Sequence, residues 1–393
     1  MTATAVSAGR DRRILTTATV ATTGAVLPVF LTGAVGVQLR ADLDFGEIGL
    51  GLIFASYFAA AALGSFSLGH LSQRTGPVAA LRVGLVLSAI VSLSVAAFAR
   101  SLVWLTVLIA VAGLANAITQ PATNLLLADR LPARRLGWAV GLKQSGMPLA
   151  SMLAGLSVPA LATTVGWEWA YVVGALLSVL ALAMTVGSAS AEPSDTPRRP
   201  DGPPASPDTP RRVLWFLALG MVFGAAAASG LGSFLVSAAE DAGVAPGAAG
   251  LLLSAGSLIG VVVRLVMGAR AGLHPERTLR TVAIMLTLGA AAFGLLAVHR
   301  AWVIIAVTPL AFGAGWAWPG LFNFAIVRAN RRGAGAATGI TQTGTYLGAL
   351  GGPLLFGVMV DQWSYTAAWS ASAVLAVAAA AVFSVGDRRL RHS

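Results

Sequence analysis

The chain has 393 residues, 56% of them hydrophobic and 10% charged, with a formal net charge of +11 and a mean hydropathy of +0.80. Soluble domains carry about 25% charged residues, so this one cannot cover itself for water. Its basic residues sit in short runs between apolar stretches rather than on one soluble face, which excludes nucleic acid as a partner. There is no cysteine, and the four histidines (His70, His274, His299, His392) are not at metal-ligand spacing, so no disulfide, thiol chemistry, metal or other cofactor is expected.

Twelve apolar stretches, each near the roughly 20 residues that cross a bilayer, lie at 14–37, 48–69, 78–98, 102–128, 137–163, 167–187, 213–239, 247–269, 278–297, 301–327, 335–360 and 365–385. The first follows Arg10, Arg12 and Arg13, as a secretory signal would. Its 24 apolar residues exceed a signal core and no cleavage site follows, so it reads as a retained helix. With both termini in the cytoplasm, 21 of the 26 Lys and Arg residues fall inside and three (Arg40, Arg100, Arg300) outside, while Lys143 and Arg264 lie within spans. That bias follows the positive-inside rule. The expected organisation is a cytoplasmic N-terminus (1–13), a six-helix bundle (14–187), a cytoplasmic linker (188–212), a second six-helix bundle (213–385) and a cytoplasmic C-terminus (386–393). The expected setting is the cytoplasmic membrane, as a monomer in the lipid bilayer.

The linker holds seven of the 18 prolines and repeats Asp-Thr-Pro-Arg-Arg at 195–199 and 208–212, a composition too polar to fold alone. The two halves echo one another. A shift of 198 positions superposes Pro121 on Pro319, Arg130 on Arg328, Gly141 on Gly339, Gln144 on Gln342 and Gly146 on Gly344 without a gap. An even number of spans per half makes this a parallel repeat about an axis along the membrane normal.

On these residues the chain resembles the major facilitator superfamily over essentially its whole length. The family's loop between the second and third helices reads approximately Gly-x-Leu-Ala-Asp-Arg-x-Gly-Arg-Arg, and here Gly69, Leu71, Arg74 and Gly76 match it, with Gln73 at the acidic position and Pro77 at the first trailing basic one. Gly141 to Pro148 and Gly339 to Gly344, with Gly351-Gly352-Pro353, resemble the family's fifth and eleventh helices, especially in permeases related to the cyanate and nitrate/nitrite porters. The resemblance implies a twelve-helix all-α membrane fold of two pseudo-symmetric bundles, alternating access, and gating roles for Gly69, Arg74 and Gly76. Asp129 is expected to form a salt bridge with Arg130 or Arg134.

An intramembrane charge costs about 2.5–3.5 kcal/mol even on insertion scales. Lys143 and Arg264 lie about 8–10 Å inside the cytoplasmic ends of their helices by helix rise, and no acid lies deep in any span. An anionic solute would supply the missing charge, and the family resemblance, which sets helices five and eight face to face, would let both cations look into one cavity. An arginine on the eighth helix also resembles a feature of anion-handling relatives, and its planar fork suits carboxylate or nitrate oxygens. Alternatively, both cations snorkel to headgroups or bond exposed carbonyls of broken helices. Ser254 and Ser257 share the Arg264 stripe and would line the same groove.

Gln144, Gln342, Tyr346, Tyr57, Asn116, Gln120 and Asn323 are further candidates for solute contact, with bonding between helices as the other reading. Trp316 and Trp318 are candidates for a cavity wall, while Trp167, Trp169, Trp302, Trp363 and Trp369 read as interfacial anchors. Asp42, Asp44, Glu47, Glu240, Asp241 and Asp361 read as solvated loop charges, with Glu47 or Glu240 as possible carriers of a coupling proton. The leading reading is a secondary transporter of a small anion. An exporter of neutral or anionic drugs or metabolites is the alternative, and a non-transporting receptor is a weaker one. No paired carboxylates, nucleophile triad or phosphate loop points to an enzyme.

Overall fold

The computed structural model describes residues 2–131, 139–189, 206–273, 275–330 and 333–391, with the side chains at 2–8, 66–67, 69–74, 187–189, 272–273, 275 and 391 outside the described set. Twelve of its helices are long and apolar enough to cross a membrane: α1 (Gly9–Ala34), α2 (Glu47–Ser65), α3 (Pro77–Phe98), α4 (Leu102–Arg130), α5 (Ala139–Ala162), α6 (Glu168–Val186), α7 (Arg211–Asp241), α8 (Pro246–Ala271), α9 (Thr278–Leu296), α10 (Ala301–Ala329), α11 (Ala334–Gln362) and α12 (Tyr365–Leu390). Each matches one apolar stretch of the sequence, because in lipid a backbone must satisfy its own polar groups and a helix does so within one segment. A short helix, Gly36–Leu43, extends α1 and ends at Asp44 in the left-handed region (φ 52°). The helix carrying α2 continues to Thr75 and stops at Gly76, whose φ of +85° a side chain would rarely adopt.

The first six helices pack on the last six through three pairs, α2 on α11, α5 on α8 and α1 on α7, while α3, α6, α9 and α12 pack chiefly within their own sets. The two ends of the molecule differ. At the end away from the chain termini, one continuous core draws on both sets, from Val35, Leu50 and Phe54 to Phe234, Phe356 and Trp369. At the termini end each set has a core of its own, one around Ile14, Leu81 and Leu126, the other around Leu217, Leu286 and Phe383. Among the described residues the molecule is therefore sealed at the far end and divided at the termini end.

Glycine makes the far-end seal possible. A Cβ on Gly357 of α11 would stand 2.4 Å from the Glu47 carbonyl oxygen, and one on Gly51 of α2 would stand 2.6 Å from that of Pro353. Small residues let helix backbones touch where lipid supplies no hydrophobic drive between helices. The α5–α8 pair is built likewise, with Gly155 and Gly250 each against the other's carbonyl, and there Ser254 and Ser257 bond across to the Met152 carbonyl and the Ser151 hydroxyl, both at 2.9 Å. These serines seal α8 to α5 rather than lining a groove beside Arg264. The stripe was right, but it faces the partner helix.

Three interfacial expectations also change. Trp369 is fully buried against Phe293 and Phe356, and Trp167 is buried with its indole N–H donating to Asp42 at 2.7 Å. Glu47, expected in solvent, is 4% exposed. Trp169, Trp302 and Trp363 are exposed, as anchors would be.

Candidate functional site

Where the two sets part, a cavity of about 390 Å³ is lined by α1, α2, α4 and α5 on one side and α7, α8, α10 and α11 on the other. Its wall breaks are sequence-encoded. A proline has no N–H to give the carbonyl four residues back, so Pro148 frees the Gln144 carbonyl and Pro319 frees that of Gly315. The Arg264 guanidinium takes the first, with Nη1 donating at 3.4 Å, and the Trp318 indole N–H takes the second at 3.0 Å. Pro28 frees Gly24 in the same way, and the Ser88 hydroxyl donates to it at 3.0 Å. Beside Pro319, α10 winds as a π-helix over Ala311–Trp316 and then bends, and the Trp316 carbonyl accepts from Arg264 Nη2 at 2.9 Å. Such π-segments recur at functional sites.

Arg264 thus ties α5 of one set to α10 of the other, with its guanidinium carbon 5.6 Å from the centre of the Trp316 ring. Two of its five N–H groups serve this purpose, which leaves donors to spare. It is the one ionisable Asp, Glu, Lys, Arg or His on the cavity wall among the described residues. The alternative of bonding broken-helix carbonyls holds for Arg264, yet the same side chain faces the cavity.

Lys143 is placed differently. It is fully buried and off the cavity wall, with Nζ donating to Gln120 Oε1, to Asn124 Oδ1 at 3.1 Å and to the Gln120 carbonyl at 3.5 Å. Gln120 Nε2 in turn donates to Asn116 Oδ1 at 3.1 Å. The ammonium braces a row of amides, Asn116, Gln120 and Asn124, which line the cavity one turn apart on α4. Asn124 was missed in the sequence, although its spacing of four from Gln120 puts it on the same stripe.

The other expected contacts converge. Gln144, Gln342, Tyr346, Tyr57 and Asn323 all line the cavity, as do Trp316 and Trp318. Gln342 Oε1 accepts from Thr345 at 2.7 Å within α11, and the Tyr57 hydroxyl of α2 donates to the Ala25 carbonyl of α1 at 3.2 Å, so each is partly occupied, one in its own helix and the other in tying two helices together. Phe30, Phe54 and Phe58 complete an aromatic wall that no sequence pattern singled out. Of the loop motif, Gly76 is described, while the side-chain positions at Gly69 and Arg74 lie outside the described residues. Arg134 lies outside them too. Asp129 is exposed at the end of α4, and Arg130 has a buried Nη1 without a partner among the described residues.

The Major Facilitator Superfamily model matches residues 14–350, and again 217–392. The chain belongs to the major facilitator superfamily. Two curated relatives of this transporter, each an uncharacterized MFS-type transporter of Mycobacterium tuberculosis (strains CDC 1551 and H37Rv), are 26% identical over 323 residues, 80% of this chain and 71% of theirs. Among solved structures it is similar to a bacterial homolog of the human lysosomal transporter Spinster. The inward-facing unoccupied form has a TM-score of 0.76 at 15% identity, covering 98% of each chain, and the occupied form 0.73 at 16%, covering 95% of this chain and 96% of that one. These likenesses establish the twelve-helix fold, and the family establishes a multi-pass membrane transporter.

Proposed function

We propose that this transporter moves a small organic anion by alternating access, with Arg264 as the group that meets its charge. One observation carries the reading: the cavity wall holds a cation and, among the described residues, no carboxylate. A cation within a membrane span is costly, and a carboxylate on its spare donors would offset that cost through charge-assisted bonds. The amide row on α4 offers hydrogen bonds to polar substituents, and Phe30, Phe54, Phe58 and Trp316 suit an apolar body.

The excess of arginine at the termini end supports a cytoplasmic placement of that end, so the cavity opens to the cytoplasm in this conformation and the sealed end faces outward. Two six-helix sets joined by a polar linker are suited to rock about the site. The aromatic wall favours a second reading, export of a neutral lipophilic compound, in which Arg264 serves only to hold α5 and α10.

Uptake into proteoliposomes separates the two. Arg264→Gln should weaken apparent affinity for a transported carboxylate about ten- to a hundredfold, since hydrogen bonds to charged groups contribute about 1.5–3 kcal/mol, and leave the protein folded. Unchanged affinity and rate for anions would remove Arg264 from the site and leave the exporter reading.

A further inference from the structure

The sealed far end carries a group of ionisable side chains that the cavity does not use. Glu47, at the first turn of α2, is 4% exposed; its Oε1 accepts from Arg40 Nη2 at 2.9 Å and from the Tyr365 hydroxyl of α12, while its Oε2 is buried without a partner. Asp361 of α11 accepts the Glu47 and Ile48 backbone N–H groups at 3.0 and 2.9 Å, capping α2 from the other set of helices. His299 stacks on Tyr365 and pairs with Asp241 at 2.7 Å. Glu240, on α7, lies within electrostatic reach of Arg40, and its Oε1 is buried and unpartnered.

The charges do not balance. Asp361 is compensated by the amino end of α2, and the Asp241 side chain is exposed, so water hydrates it. Glu47 and Glu240 then share one guanidinium, that of Arg40. In water the surplus negative charge would be hydrated. In the closed seam Glu47 is cut off from water and Glu240, half-exposed, keeps one oxygen buried, and an unpaired buried charge is expensive.

We propose that the closed far end binds one proton, carried by Glu47 or Glu240, the two carboxyls that depend on the one Arg40 guanidinium, and gives it up when the seam opens. Closure takes a proton from the far-side solution and opening returns it, so acid on that side favours the closed form. The inference needs the halves to part at the far end. It does not need the solute to be an anion, and it stands or falls separately from the role of Arg264.

The chain has no cysteine, so one introduced thiol reports without interference. Ser237 is suited to it, being 2% exposed on α7 and close to Gly36 of the opposite half. The experiment measures maleimide labelling of S237C in lipid nanodiscs, divided at each pH by the rate for the same protein unfolded in detergent. Between about pH 8 and about pH 5 the normalised rate should fall roughly threefold or more, by linkage of the proton to closure. Glu47→Gln and Glu240→Gln, each leaving one carboxylate for Arg40, should label slowly at every pH. His299→Gln and Asp361→Asn should keep the slope. A flat profile in S237C alone overturns the proposal. So does a slope that survives both Glu47→Gln and Glu240→Gln, or one that vanishes only with His299→Gln. Gel filtration of each variant identifies any that fail to fold, and either glutamate variant alone suffices for the test.

Discussion

Two cations within the spans take different parts, and the difference lies in their partners. The Arg264 fork is fixed by the Gln144 and Trp316 carbonyls while still lining the cavity, whereas the Lys143 ammonium is held by Gln120 and Asn124 behind it. Lys143 is a positioning residue in this account. Lys143→Met is therefore expected to weaken solute affinity by only about threefold, against tenfold or more for Arg264→Gln, because it frees two amides without removing the charge that meets the solute. Binding titrations on the two variants measure this, and an equal or larger loss in Lys143→Met would put the ammonium on the solute. At this scale the sequence was informative about which residues were unusual and silent about their direction. A lysine in an apolar run announces a partner, but the partners lie 19 and 23 residues back on α4, at Asn124 and Gln120, and only packing brings them together. Glu47 was misread for the same reason: its partners Tyr365 and Asp361 lie more than 300 residues away.

At the scale of helices, the devices that shape the site are proline breaks and glycine contacts. The breaks were legible once written as a proline and the carbonyl four residues before it, because a missing N–H is a fact of the sequence. Which donor fills the vacancy was not: Arg264, Trp318 and Ser88 come from two other helices and from the same helix. The glycine contacts predict a bias in conformation. Gly357→Ala places a methyl 2.4 Å from the Glu47 carbonyl oxygen, a backbone atom that cannot swing aside. Overpacking of this kind costs about 1–3 kcal/mol, and it falls on the form closed at the far end. Labelling of the S237C thiol should rise several-fold in Gly357→Ala at neutral pH. A rate equal to the parent's would mean that α2 and α11 are not the contact that holds this end shut.

For the whole molecule, the fold was the most legible level. Hydropathy located twelve helices to within a few residues, and the 198-residue echo gave the two sets the same orientation. The conformation was not legible, since closure at one end depends on side chains meeting between sets: one core shared at the far end, two separate cores at the termini end. That asymmetry leaves the cavity, with Arg264 on its wall, between the halves. The most direct test of the account is a thermal-shift screen of the purified protein against small aromatic and aliphatic carboxylates, inorganic oxyanions and lipophilic cations, run on the parent and on Arg264→Gln. A ligand at about 100 times its dissociation constant adds roughly 2.7 kcal/mol to the folded state. The account predicts a dose-dependent rise in Tm with at least one carboxylate or oxyanion, lost in Arg264→Gln. Stabilisation by lipophilic cations alone, or by anions equally in both proteins, would contradict it.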